Sequence, residues 1–427
     1  MNDTAARALK KRKHLFLSLA LGVGLVYYAC NPNFLYYDII GGPGISLSER
    51  LGLAQLPNAW IHTSDYTFRL ASAFLHGRLG IDEKPPGWLN EFIPLNGSYY
   101  SAFPLGSVLS VLPLSFLKDA CVLESYPAGV TAALIAAAIT LLLLAISSEY
   151  PVSEGKKILL ALFVVLGTFT WCNLATAGAW QLALGFAVIG ELGAIYFSVA
   201  RPRPLVAGFF FALAFGNRTE VLLLAPLFVR LLCRGKNSRA ASWVALRFCA
   251  IPFALGVLTL AYNHARFGFI SEFGYAKIPG VLNEPWYSHG LFSIYAIPMN
   301  SREMLTVTWR TLKTWPYLVP TGFGGSIFLN SPLLLLAFRK GARNFELKLM
   351  CWIALGVLTL LLWIHGNPGG WQFSYRYAMM LLPWLFVLLL ETSRAALTWL
   401  EITLFVVSVA INAYATYLFL WTDYVQP

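Results

Sequence analysis

Charge is what this sequence has least of. Only 12% of its 427 residues are Asp, Glu, Lys or Arg, while 58% are hydrophobic and 15% aromatic. A soluble domain carries about 25% charged residues. Half that fraction leaves too little polar surface to clothe a water-exposed globule, so lipid is the solvent for most of the chain. Cysteine is equally uninformative as a ligand: Cys30, Cys121, Cys172, Cys233, Cys249 and Cys351 form no CxxC and no Cys/His cluster. That pattern gives no zinc site and no disulfide framework, and reads as small buried hydrophobes. No internal repeat or low-complexity segment is visible, which argues against a repeat-built transporter.

What charge there is has a sign and a distribution. The net charge is +11, and much of it sits in clusters at Lys10 to Lys13, Arg230 to Arg247 and Arg339 to Arg343. Each cluster flanks an apolar run, as in cytoplasmic loops obeying the positive-inside rule, so no nucleic-acid partner is expected. The run Leu15 to Ala29 behind Lys10 to Lys13 reads as an uncleaved first helix. Tyr27 and Tyr28 stand where a lipoprotein site at Cys30 would want smaller residues.

Apolar runs predict helices over 14–30, 104–118, 127–146, 157–173, 178–199, 204–232, 241–263, 320–338, 346–364, 375–391 and 397–421. Pro104 and Pro113 predict a kink or tilt in the second. Gly216-Asn217-Arg218-Thr219-Glu220 interrupts the sixth. The expected fold is therefore all-α: one polytopic membrane domain, 1–427, of about 10–12 transmembrane helices. With the N-terminus cytoplasmic, 31–103, 264–319 and 365–374 become external loops, and 230–247, 339–343 and Arg394 fall inside. Lys156, Lys157, Arg201 and Arg203 disagree, because the same count puts them outside. Within the first loop, Tyr66 to Leu79 has the apolar spacing of a helix lying along the interface.

Ionisable residues at membrane depth are costly, so Glu191, Arg218 and Glu220 each need a reason. Arg218 and Glu220 either neutralise each other in a broken helix, or Arg218 faces a polar cavity and holds a lipid phosphate. Glu191 reads as a packing partner. Asp65 is the candidate acid, although its position at a helix start suits a cap at least as well. Asp38, Asp82, Glu83 and Glu91 share its loop and remain open, because sequence cannot show which acid reaches an acceptor hydroxyl. Arg266, just past a helix, suits either snorkelling or a phosphate headgroup. Arg376, beside Tyr375 and other aromatics, suits a sugar-and-phosphate site as well as an ordinary interfacial belt. A divalent metal is left open, with no ligand set standing out.

Three segments resemble a known group. Phe68 to Leu79, followed by Pro85-Pro86, Asn96 to Tyr100 and Phe103-Pro104, looks like the first external loop of bacterial GT-C-type membrane proteins. These are similar in plan to protein O-mannosyltransferases and aminoarabinose transferases. Tyr262 to Tyr275, with Glu272, resembles the group's YN-x-x-RFG-x-x-x-EFGY segment, and Gly370 to Pro383 its QFGYRY…P segment. The resemblance implies a glycosyltransferase of the bacterial inner membrane. It would move a sugar from a polyprenyl-phosphate-linked donor to a glycan, lipid or protein acceptor at the outer face. Asp65 would be the catalytic base, with Arg266 and Arg376 on the phosphate side and Tyr375 and Glu272 in the binding site; Arg218 joins them on grounds of burial. The sequence departs from the pattern at Tyr66, Ser374, Met379 and Met380. A transporter or flippase of a lipid-linked or small polar solute is the main competing class, and a non-catalytic envelope assembly protein the other.

Overall fold

The computed structural model describes residues 3–31, 51, 53, 65–86, 89 and 91–425, with side chains from residue 11 onward. Asp38, the side chain of Lys10 and most of the first loop before Asp65 lie outside the described residues.

The chain is mostly helical. Fifteen α-helices are used below: α1 (Asp3–Cys30), α2 (Tyr66–Leu75), α3 (Leu105–Asp119), α4 (Ala128–Ser148), α5 (Glu154–Leu166), α6 (Thr170–Ala175), α7 (Ala179–Ile195), α8 (Pro204–Asn217), α9 (Ala225–Cys233), α10 (Ser238–Phe267), α11 (Ile297–Leu305), α12 (Ile327–Asn330), α13 (Phe345–Ile364), α14 (Leu382–Thr392) and α15 (Trp399–Trp421). Among the described residues, six helical stretches are long and apolar enough to cross a membrane: Lys11–Cys30, Ala128–Ser148, Ala179–Ala200, Ser238–Phe267, Phe345–Ile364 and Trp399–Trp421. At about 1.5 Å per residue each reaches roughly the 30 Å of a hydrocarbon core. Between them the chain runs in shorter pieces. A 3-10 turn at Thr219–Leu224 leads into α9, another at Pro332–Phe338 follows α12, and a third at Arg376–Leu381 leads into α14.

Polar contacts sort these pieces into two ends. At one end the Lys156 ammonium sits 2.9 Å from Glu401, and Arg339 reaches the same carboxylate at 2.7 Å. Arg201 pairs with Glu149 there, and Arg230 and Arg234 both pair with Glu346. At the other end the Asn31 amide donates to the Ala175 carbonyl, Trp180 donates to Glu91, and Trp421 donates to the Cys30 carbonyl. The described part of the first loop lies at this second end, as does the segment after α10.

Helix α3 does not run between the ends. A Cβ at Gly106, near its start, would overlap the backbone of Gly216, near the end of α8. Farther along, Ser115 donates to the Phe68 carbonyl, Lys118 lies over the Phe68 ring and Asp119 faces His76. Both ends of α3 are thus held at the loop end, against α2. The interfacial helix expected over 66–79 is α2, and α3 is its partner. The apolar stretch 204–232 does the reverse. It breaks at Asn217, whose amide caps back to the Leu213 carbonyl, and makes two runs, α8 and the 3-10 turn with α9.

The stretches 104–118 and 204–232 thus differ from the expected spans in opposite ways: the first stays at the loop end and the second makes two runs. The two differences cancel after α9, and Lys156 and Arg201 lie at the same end as Arg339 and Glu401.

The centre is built on α7 and α14. Trp384 is fully buried and its indole donates to Glu191 at 2.7 Å, so Glu191 has the packing role expected of it. Helix α10 is the contrary case. Its apolar residues face outward, with Phe253 73% exposed, as a lipid-facing helix requires. At the loop end a hairpin pairs Phe92–Leu95 with Ser98–Ser101. Asn96 and Gly97 both take positive φ there, the turn that Asn-Gly favours between twisted strands.

Candidate functional site

Tyr66, the first residue of α2, brings the first loop to the bundle. Its fully buried ring makes edge contacts with Phe92, Phe103 and Trp180 at 5.4, 5.0 and 5.7 Å. Trp180 opens α7, and its indole N–H donates to Glu91 Oε1 at 2.6 Å. Glu91 Oε2 and the Tyr66 hydroxyl are buried beside one another, and the hydroxyl is the donor that Oε2 faces. Burial pushes the Glu91 carboxyl up to about 7, opposed by the Trp180 hydrogen bond and the Arg376 charge.

Arg376 is 6% exposed and begins the 3-10 turn before α14. It donates to the Trp371 carbonyl at 3.1 Å, and its buried Nε has no partner. Its guanidinium lies 5.2 Å from the Tyr377 ring centroid, and Arg218 lies 4.7 Å from the same ring. Arg218 also holds Glu220 at 2.8 Å, which is the pairing the sequence offered for it.

The second loop joins through its motif. Gly268 ends α10 in a left-handed C-cap, and Gly274, again left-handed, turns the chain so that Tyr275 meets Tyr287 hydroxyl to hydroxyl at 2.6 Å. His365 packs beside both rings and 6.5 Å from Tyr377. His365 Nδ1 lies 2.8 Å from the Asn367 carbonyl, which can only accept, so Nδ1 carries the proton and Nε2 the lone pair. Burial lowers the His365 pKa and keeps the ring neutral.

The site expected from sequence is therefore rearranged. Asp65 occupies a cap position but makes no cap hydrogen bond; its carboxylate meets Arg69 at 2.8 Å, and Arg69 also reaches Glu83. Burial pushes Asp65 up to about 6, against the pull of Arg69. Arg266 donates to the Ser101 carbonyl at 2.5 Å and to Asn263 at 2.8 Å, and lies over the Tyr262 ring. It clamps the hairpin to the end of α10. Tyr375 is fully buried and donates to the Leu362 carbonyl. Glu272 accepts from the Gly274 amide and shapes the turn. Of the expected residues, Arg218 and Arg376 are brought together, through Tyr377. Trp180, Tyr66 and His365 were missed. The signal for Glu91 was only its membership of the loop's acids, and none marked Trp180 as its partner.

Among the described residues no group of three or more His, Cys, Asp or Glu side chains forms a metal site. The arrangement can take up a proton near neutral pH at Glu91 and present guanidinium charge to an anion, in surroundings largely shielded from water. No family model, curated protein or solved structure matches the chain.

Proposed function

We propose that this protein is a membrane glycosyltransferase of GT-C-like plan. It moves a sugar from a polyprenyl-phosphate-linked donor to an acceptor at the membrane face bearing the large loops. The observation carrying this reading is that Glu91, its carboxyl pushed up to about 7 by burial, lies within the field of Arg376, while Arg376 and Arg218 both lie against the Tyr377 ring. Eleven runs between the two ends would serve as the spans, with the basic end cytoplasmic in a bacterial inner membrane.

In this reaction the acceptor hydroxyl oxygen bonds to the anomeric carbon and the bond from that carbon to the phosphate oxygen breaks. The electron pair stays on the lipid phosphate and the hydroxyl proton passes to Glu91. Charge grows on the departing phosphate, where preorganised Arg376 and Arg218 act. Glu91 replaces Asp65 as the general base in this reading, because Asp65 is ion-paired with Arg69, which stabilises its charged form. The Arg218–Glu220 pair stands beside Tyr377 at the loop end, which weighs against a transport path through the middle.

The test is transfer of labelled sugar from polyprenyl-phosphate donors in membranes carrying wild type, Glu91→Gln or Asp65→Asn. Transfer by wild type, lost in Glu91→Gln and kept in Asp65→Asn, is the expected pattern. Loss in Asp65→Asn alone would return the catalytic role to Asp65. No transfer by wild type from mono- or pyrophosphate donors would overturn the reading.

A further inference from the structure

A cavity lies at the end of the bundle opposite Glu91 and the loops. It has a volume of about 430 Å³ and opens where α4 ends, α13 begins and α14 ends. That is within the ordinary range for a small-molecule site, roughly 300–1,000 Å³. One wall is a π-helical turn, Tyr196–Ala200, that widens the end of α7; the Arg201 amide bonds five residues back to the Tyr196 carbonyl. Such turns cost backbone regularity and are concentrated at functional sites.

The lining divides by chemistry. Ile146, Ile195, Leu347 and Val387 form a buried apolar wall, and Val199, 37% exposed, stands at the margin. The polar side carries both signs. Glu391, 4% exposed, is fixed by the Tyr150 hydroxyl at 2.9 Å and the Asn344 amide at 2.7 Å. Glu149, which also pairs with Arg201 at 3.3 Å, and Arg343, which donates to the Ser393 carbonyl at 3.0 Å, complete it. A purely anionic ligand would meet two carboxylates here, and a purely cationic one would meet the Arg343 guanidinium. Glu391 also occupies the start of α13, where a free anion would otherwise sit.

We propose that this cavity binds the headgroup of a zwitterionic phospholipid bearing a primary amine, the phosphatidylethanolamine class. The phosphate meets Arg343, the ammonium donates to Glu149 and the carboxylate edge of Glu391, and the upper acyl chain follows the apolar wall. A choline headgroup has the charge but no N–H donors, and a glycerol headgroup has no cation. Both are therefore discriminated against.

The test uses the purified full chain in detergent, with thermal stability and native mass spectrometry read against added phosphatidylethanolamine, phosphatidylcholine and phosphatidylglycerol of identical acyl chains. Phosphatidylethanolamine is expected to be retained and to stabilise at about tenfold lower concentration than the other two. Glu149→Gln and Arg343→Gln should each cut that preference at least fivefold. Val199→Trp, which fills the margin without touching a polar group, should abolish it while leaving the lipid-free melting temperature unchanged. Equal response to all three lipids, preference for phosphatidylglycerol, or full preference in Val199→Trp would each overturn the proposal.

Discussion

The Trp180 indole donates a 2.6 Å hydrogen bond to Glu91 across 89 residues of sequence. It fixes one oxygen of a buried carboxyl and leaves the other, Oε2, facing the Tyr66 hydroxyl. In Glu91→Gln an amide oxygen can still accept from Trp180, so the fold should survive while the base is lost. The expected loss of transfer is about 10²–10⁴-fold, the usual contribution of a general base. Wild-type activity should rise with pH through about 7, as Glu91 ionises.

Stability should move the other way. The folded value of Glu91, about 7, lies above its ordinary value of 4.5, so the unfolded chain ionises first as pH rises. The associated stability is fully present below about 4.5 and is lost as pH climbs through about 7, on the order of 3 kcal/mol. Asp65 adds the same sign between 3.8 and about 6. Melting curves from pH 4 to 8 should fall more steeply for wild type than for Glu91→Gln. Parallel curves would show that Glu91 is not buried as described.

Arg266 tests whether its motif is chemical or architectural. Its two hydrogen bonds, to Ser101 and Asn263, diverge from one planar guanidinium that also covers Tyr262. A lysine cannot make all three contacts. Arg266→Lys should cost about 1.5–3 kcal/mol in thermal or denaturant unfolding. Transfer per folded molecule should stay within about twofold of wild type. A large loss of turnover at unchanged stability would restore Arg266 to the phosphate site.

These residues show what sequence conveyed. Apolar length located the long helices, because burial in lipid is written into composition over twenty residues. The spacing of Phe68, Leu70, Ala71, Phe74 and Leu75 located α2 for the same reason. Partner choice is not written locally. That Asp65 meets a guanidinium and Glu91 an indole depends on Arg69, one helical turn from Asp65, and on Trp180, far along the chain. Arg376 stood out in the sequence among its aromatics, whereas its link to Arg218 through Tyr377 required the fold.

The Lys156–Glu401–Arg339 cluster should be a strong stability determinant. Lys156 and Glu401 have 0% and 1% of their side chains exposed, and Thr398 completes a capping box on the same carboxylate. Glu401→Gln leaves a buried ammonium without its counter-charge, and about 3–5 kcal/mol should be lost. Lys156→Met should cost less, since Arg339 still neutralises Glu401. Thermal unfolding in one detergent should rank the two variants in that order.

Cys121 decides the topology. It is exposed and follows directly on α3, the apolar helix that does not run between the ends. If 104–118 crossed the membrane, Cys121 and the loop residue Arg78 would stand on opposite faces. Here Asp119 faces His76 and Lys118 lies over Phe68, so the two positions share a face. A membrane-impermeant maleimide applied to sealed vesicles should label native Cys121 from the same side as a cysteine placed at Arg78 in a Cys121→Ser background. A cysteine at Gly155 in that background should be labelled only from the other side, because Gly155 adjoins Lys156 and its partners Arg339 and Glu401. Labelling of Cys121 and the Gly155 cysteine from one common side would mean that α3 spans after all. The two compensating errors in the hydropathy count would then not exist, and the basic residues at 156, 157, 201 and 203 would need another explanation.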